Sequence, residues 1–239
     1  MTNDKQLMTH NNLITIIPAK PFEEAKTRLA AVLSPQQRQA ISRNLLMRTI
    51  TLARQIGPVV VVSRSAKVRQ TAHKQGAKTL TEATVSGQQA FRLPPSAFRL
   101  QAEASLNAAI RQGLAYALSA EAESALILPL DLPLLSLADL RNLLELSGAD
   151  APALVIAPCR RNQGTNALLL RPPSLIAPQF GTNSFAAHQS AARGMGVTPK
   201  IYRSPGLMYD LDSPDDWQQL LGLGIRLPIT NLSGNLEHS

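Results

Sequence analysis

"LITIIPAKPFEEAKTRL", residues 13–29, decides how the rest of the chain is read. Leu13 to Ile17 is an apolar run rich in β-branched residues and without alternation. That is the pattern of a strand covered on both faces, which belongs to a parallel sheet wrapped by helices. The chain then turns basic, with Lys20, Lys26 and Arg28 close behind the strand. A turn after the first strand is where α/β proteins hold phosphates, yet this one contains no glycine. It is neither the Gly-x-Gly-x-x-Gly turn of a dinucleotide site nor a Walker-type loop. A dinucleotide dehydrogenase and a P-loop ATPase are therefore disfavoured, and long cationic side chains would have to replace the missing backbone cradle.

Working outward, strand and helix alternate. "PVVVVS" (58–63), "AKTL" (77–80), "SALILPL" (124–130), "ALVIAP" (153–158) and "NALLLRP" (166–172) read as strands, with a short extended piece at "PKIYRS" (199–204). Helices are expected over 34–57, 66–76, 103–120, 136–146, 183–196 and 213–224. The first carries Ser34 as N-cap, Pro35 at the first helical position and Gln37 closing a capping box. Ser136 with Asp139, and Ser213 with Pro214, mark two later starts. Residues 83–102 show no period and hold two consecutive prolines, so they read as a long loop or lid. The alternation predicts an α/β fold, a mostly parallel sheet with helices on both faces and right-handed crossovers.

The 239 residues, 44% of them hydrophobic, suit one domain over 13–224, with loose tails at 1–12 and 225–239. Cys159 is the single cysteine, so an internal disulfide and a cysteine-based zinc site are excluded. No apolar stretch is long enough for a membrane span, and the N-terminus has no signal-like core. A soluble, cytoplasmic protein is expected. The net charge of +8 is scattered, and aromatics make up only 4%, which disfavours a nucleic-acid stripe. A basic surface that attracts small multi-anionic substrates fits better. A homodimer is compatible with the sequence, which carries no sign of one.

In such a sheet the informative residues follow the strands: Lys20, Ser63, Asp131, Thr165 and the pair Asp210 and Asp212. Asp131 sits in "LPLDLP" among leucines and prolines, where an unpaired charge is costly. It needs a partner such as a cation, unless it merely caps a turn. Asp210 and Asp212 are two apart in an extended segment, so both could face one site. The alternative is that this segment caps the last helix. Carboxylates on two loops, with oxygen ligands only, suggest Mg2+ rather than zinc. "QGTNALL" (163–169) and "FGTNSFAAH" (180–188) each place Gly-Thr-Asn at an element's start, where anions are seated. Together these parts are the equipment of metal-assisted phosphoryl or nucleotidyl transfer.

The ordered set "IIPAK", "AKTRLAAVLSPQQR", "LNAAI", "LILPLDLPLLS", "GTNALLLRPP", "FGTNSFAAH" and "GLMYDLDSPDDW" resembles the 2-phospho-L-lactate guanylyltransferase family over about residues 13–221. The resemblance implies a three-layer α/β/α sandwich of the Rossmann-like nucleotidyltransferase type. It also implies GMP transfer from GTP to a phosphorylated three-carbon acid, in the making of coenzyme F-420. That acid is 2-phospho-L-lactate, phosphoenolpyruvate or 3-phospho-D-glycerate in different members. By resemblance Asp131 is a Mg2+ ligand, joined by Asp210 or Asp212, while Thr165, Gly181 and Ser184 seat the phospho-acid. Lys20, Lys26 and Arg28 match the basic loop beside the triphosphate, and Ser63 and Asn107 are nucleotide-binding candidates. The chain departs from the family pattern at Arg64, where an acidic residue is common, at the longer segment before "LNAAI", and at "CRRNQGTN", which lacks an Asp. A transferase for another acceptor, a molybdopterin or sugar phosphate, and a catalytically silent nucleotide-binding module are the competing readings.

Overall fold

The computed structural model describes residues 12–83, 95–225 and 227. Seven strands form one sheet: β1 (Leu13–Pro18), β2 (Val59–Ser63), β3 (Lys78–Thr81), β4 (Ser124–Ile127), β5 (Ala153–Pro158), β6 (Thr165–Arg171) and β7 (Lys200–Ile201). Their order across the sheet is β3-β2-β1-β4-β6-β5-β7. β1 pairs in parallel with β2 on one side and β4 on the other, so the chain reverses its winding direction there. That switch point is where open α/β sheets form their ligand crevice.

β6 runs antiparallel to both β4 and β5, and the other pairings are parallel. The loop between β5 and β6 is too short for a crossover, so it closes a hairpin. The consequence decides the site: the first residues of β6, Thr165 and Asn166, come to the sheet edge where the parallel strands end.

The helices are α1 (Pro35–Ala53), α2 (Ala66–Lys74), α3 (Pro95–Ser119), α4 (Leu137–Ser147), α5 (Ser184–Gly194), α6 (Pro205–Met208) and α7 (Pro214–Gly222). Side-chain alternation on β1 divides the core. Ile14 and Ile16 face α3 and α5, packing with Ile110, Leu114 and Phe185. Ile17 faces α1 and α2, against Leu46, Ile50, Val68 and Ala72. Leu126 of β4 and Leu169 of β6 pack on Leu140 and Leu143 of α4, below the same face. Helices therefore cover both faces, giving the expected three layers. α3 crosses β1 so closely that a Cβ on Gly113 would stand 2.4 Å from Ile16 Cγ2.

The local signals hold where side chains make the cap. Ser34 and Gln37, Ser136 and Asp139, and Ser213 and Asp216 each form a capping box. Three boundaries differ from expectation. α3 begins at Pro95, so 95–102 is helix rather than loop, while 84–94 lies outside the described residues. A proline fits a helix's first turn, where its missing N–H costs no bond. β4 stops at Ile127 because Pro129 cannot extend the ladder. The short α6 was not anticipated. The expected tails at 1–12 and 225–239 fall almost wholly outside the described residues; Ile225 and Leu227 pack on the cluster of Leu211, Trp217 and Leu220. Among the described residues no helix is long and apolar enough to cross a membrane.

Candidate active site

A cleft of about 660 Å³ opens at the carboxyl end of the parallel strands. It lies over the switch point between β1 and β4. Its size is that of an ordinary small-molecule site.

The glycine-free loop after β1 is shaped by apolar anchors. The Ala19 N–H donates to the Val62 carbonyl at 2.9 Å, extending the ladder. Two 3-10 turns follow, Phe22–Glu24 and Thr27–Ala31. Phe22 packs with Ile17 and Leu46, and Leu29 packs with Leu211 and Trp217. Between the turns Lys26 adopts the left-handed conformation, φ 57°, uncommon for a side chain of this size and held by its surroundings. Its side chain, 5% exposed, turns back under the loop. There Nζ donates to the Leu211 carbonyl at 2.6 Å. It lies 3.8 Å from Asp131 Oδ2 and 3.7 Å from Asp212 Oδ1. Arg28 Nη1 stands 3.9 Å from Asp212 Oδ2, and Lys20 is exposed on the lining. The three cations thus divide: Lys26 is an internal counter-charge to the aspartates, while Lys20 and Arg28 reach outward.

Leu128 and Leu132 are buried on either side of Asp131, which anchors the loop after β4. The Asp131 carbonyl accepts from the Leu211 N–H at 2.9 Å, so the 210–212 segment is tied directly to it. Asp216, not Asp212, closes the α7 cap: its Oδ2 accepts from the Ser213 N–H at 2.8 Å and the Asp212 N–H at 3.1 Å. The Asp212 carboxylate is thereby left to Lys26 and Arg28. Asp210 Oδ1 receives the Asn166 amide at 3.5 Å, and the same amide donates to the Leu207 carbonyl at 2.9 Å.

Charge is concentrated here at a cost. Burial pushes the Asp131 carboxyl up to about 6; Lys26 pulls it down, while Asp212 and Asp210 push it up. Burial first and Asp212 second also raise Asp210. Among the described residues no three His, Cys, Asp or Glu side chains close into a metal cage. Mg2+ does not require one, because it keeps waters and takes one or two carboxylates plus substrate phosphates. Partly buried, mutually repelling carboxylates lining this cleft are hard oxygen donors short of positive charge, and they fit that ion.

Thr165, Gly181 and Ser184 line the far side of the same cleft. Gly181 has φ 131°, a backbone conformation that favours glycine. The Ser184 and Phe185 N–H groups donate to the carbonyls of Gly181 and Gln163, both at 3.2 Å. The helix start is therefore partly used to fix its own loop.

Nine of the eleven residues singled out in the sequence line this cleft: Lys20, Lys26, Arg28, Asp131, Thr165, Gly181, Ser184, Asp210 and Asp212. Ser63 and Asn107 do not. Ser63 is fully buried at the end of β2, its hydroxyl accepting from the Ser65 N–H at 3.2 Å. Asn107 clamps Phe180 through two bonds of 2.8 Å, one to each backbone group. Four lining or supporting residues went unnoticed in the sequence: Glu82, Ser105, Asn166 and His188. Ser105 donates to Glu82 Oε1 at 2.6 Å within the lining. Arg64, the departure after β2, also lines the cleft and pairs with Glu24.

The sequence profile described as guanylyl transferase CofC like matches residues 13–92 and 97–225. The chain is 37% identical to a phosphoenolpyruvate guanylyltransferase of Rubrobacter xylanophilus, over 89% of this chain and 95% of that one. It is 34% identical to a 2-phospho-L-lactate guanylyltransferase of Methanothermobacter thermautotrophicus, over 86% and 82%. A 3-phospho-D-glycerate guanylyltransferase of Colwellia psychrerythraea is 28% identical over 86% and 89%. The fold is similar to that of a solved 4-diphosphocytidyl-2C-methyl-D-erythritol synthase, with TM-score 0.57 and 15% identity over 89% of this chain and 97% of that one. The chain belongs to the CofC-like guanylyl transferase family.

Proposed function

We propose that this protein transfers GMP from GTP to the phosphate of a three-carbon phospho-acid, releasing pyrophosphate, as a step towards coenzyme F-420. The observation that carries the proposal is the composition of one cleft: outward cations after β1, three aspartates at the switch point, and the Thr165, Gly181 and Ser184 seat at the start of β6 and α5. The names of the relatives support the reaction and the class of acceptor.

The chemistry follows from charge. The acceptor phosphate, with a second pKa of about 6, is largely a dianion near neutral pH, so no general base is needed. The protein's task is to hold two anions in line and to stabilise the departing pyrophosphate. Lys20 and Arg28 face the triphosphate. Lys26 keeps Asp131 and Asp212 close together in the ligand-free protein. Thr165 and Ser184 orient the phospho-acid through hydroxyl groups, and Gly181 lets its backbone approach. When bound, Mg2+ on Asp131 with Asp212 or Asp210 supplies neutralisation of the phosphate oxygens.

Glu82 supports guanine as the base. The cleft's phospho-acid end lies over β6, so the nucleotide extends towards β2 and β3, where Glu82 stands. A carboxylate repels phosphates but accepts from the N1–H and amino group that guanine carries side by side. Adenine offers an acceptor at N1 and is disfavoured there. A pyrophosphate-release assay with GTP, Mg2+ and phosphoenolpyruvate, 2-phospho-L-lactate or 3-phospho-D-glycerate tests the proposal. Release that needs both GTP and one of the acids is expected; none with any acid would refute it.

A further inference from the structure

His188 of α5 is completely buried, and its ring is fixed on three sides. The Gln179 backbone N–H donates to Nε2 at 2.9 Å. Nδ1 lies 3.0 Å from Thr165 Oγ1. The Phe180 ring meets the imidazole edge-on, centroids 4.9 Å apart at 66°. Asn107 holds Phe180, and with it the neighbouring Gln179, by two backbone bonds of 2.8 Å.

These contacts leave one protonation pattern. A backbone N–H can only donate, so Nε2 must be the acceptor and carries no proton. Neutral imidazole then has its proton on Nδ1. That N–H can only donate, so Thr165 Oγ1 accepts it. An imidazolium would set a second N–H against the Gln179 N–H, and burial accordingly holds His188 down to about 4. With a lone pair of the Thr165 oxygen taken, the threonine's own hydrogen has to point elsewhere. Thr165 lines the cleft, and His188 is its hydroxyl's only hydrogen-bond partner among the described residues.

We propose that His188 is a positioning residue, whose Nδ1–H fills the acceptor side of Thr165 so that the Thr165 hydroxyl presents its hydrogen to an anionic oxygen of the phospho-acid. Asn107 and Gln179 belong to the same device, since they fix the tautomer from behind. The proposal rests on the guanylyl-transfer reading and names its acid-orienting donor. It explains why a neutral histidine is buried beside a seat for anions: an imidazolium would attract the acid unspecifically, whereas a tautomer-locked ring gives a hydroxyl with one direction.

The test has two arms. Nitrogen-15 NMR of histidine-labelled protein without substrate identifies His188 by the signal lost in His188→Phe. The Nδ1–H tautomer is expected throughout the neutral range; an Nε2–H tautomer or an imidazolium there would overturn the proposal. In the kinetic arm, His188→Phe and Thr165→Val each raise KM for the phospho-acid about ten- to hundredfold, the scale of one hydrogen bond to a charged group. KM for GTP stays unchanged, Thr165→Ser restores most of the loss, and the double variant is no worse than either single one. Losses that multiply in the double variant, or KM values for acid and GTP that rise together, would refute the device. If no acid supports turnover in the unaltered enzyme, the guanylyl-transfer reading fails; the tautomer is read without substrate, so the two failures are distinguished.

Discussion

Replacing Asp131 by Asn should stabilise the protein at neutral pH, and only there. The Asp131 carboxyl is raised from 3.8 to about 6, first by burial and then by Asp212 and Asp210 against Lys26. A group raised on folding contributes stability fully below its unfolded value, and that contribution is lost as pH rises through the folded value. The shift corresponds to about 3 kcal/mol at about 1.4 kcal/mol per pH unit. Solvent reaches the side chain, which is 27% exposed, so a gain of about 1–3 kcal/mol is the reasonable range for the variant near pH 7.5.

The wild-type profile conceals this. His188 is lowered from 6.5 to about 4, so its contribution is present above 6.5 and lost as pH falls through 4. Over about pH 4 to 7 the two groups act in opposite directions with similar size. Asp131→Asn removes one of them. The variant should therefore match wild type near pH 4 and exceed it increasingly towards pH 7.5. Urea unfolding at several pH values, with EDTA present to exclude adventitious metal, reads this directly. A gain independent of pH, or a variant less stable than wild type near pH 7.5, would refute the electrostatic reasoning.

Other outcomes follow from the same contacts. Lys26→Met leaves Asp131 and Asp212 without their shared ammonium and frees the Leu211 carbonyl; stability near neutral pH should fall by about 1–3 kcal/mol, and added Mg2+ should restore part of it in a melting-temperature titration. Gly113→Ala should destabilise by about 1–3 kcal/mol in urea unfolding despite alanine's better helix propensity, because the new Cβ meets Ile16 at 2.4 Å. Glu82→Gln should reduce the preference for GTP over ATP about tenfold or more, measured as the ratio of kcat/KM values, with the phospho-acid KM unchanged.

Much of the fold was legible because its signals are local. The β1 and β2 runs are apolar without alternation, and Ser34, Ser136 and Ser213 announce their helices by caps that the structure reproduces. The start of α3 was missed because "LPPSAFRLQA" places prolines and an aperiodic run ahead of the amphipathic part. The antiparallel course of β6 has no residue signature; only the shortness of its hairpin implies it. Thr165 was placed at the site by a strand-end rule, but it comes there as the first residue of a reversed strand.

The site divides in the same way. Asp131 and the Asp210–Asp212 pair stood out because carboxylates among apolar residues need a reason. The inward turn of Lys26 did not, since it depends on a left-handed backbone set by Phe22 and Leu29 anchors on two separate clusters. Asn107 was legible as a motif residue but not as the clamp on Phe180, 73 positions away. His188 carries no local signal, because its partners Gln179 and Thr165 meet it only in three dimensions. Glu82 gave no local cue, being one carboxylate at the end of an exposed strand.

The most direct test of the account is phosphorus NMR of the protein with GTP, Mg2+ and phosphoenolpyruvate. Guanylyl transfer predicts a pair of coupled diphosphate resonances from a new diester, appearing in step with pyrophosphate and absent with the Asp131→Asn variant. Unchanged GTP and phosphoenolpyruvate signals, with 2-phospho-L-lactate and 3-phospho-D-glycerate equally inert in their place, would contradict it.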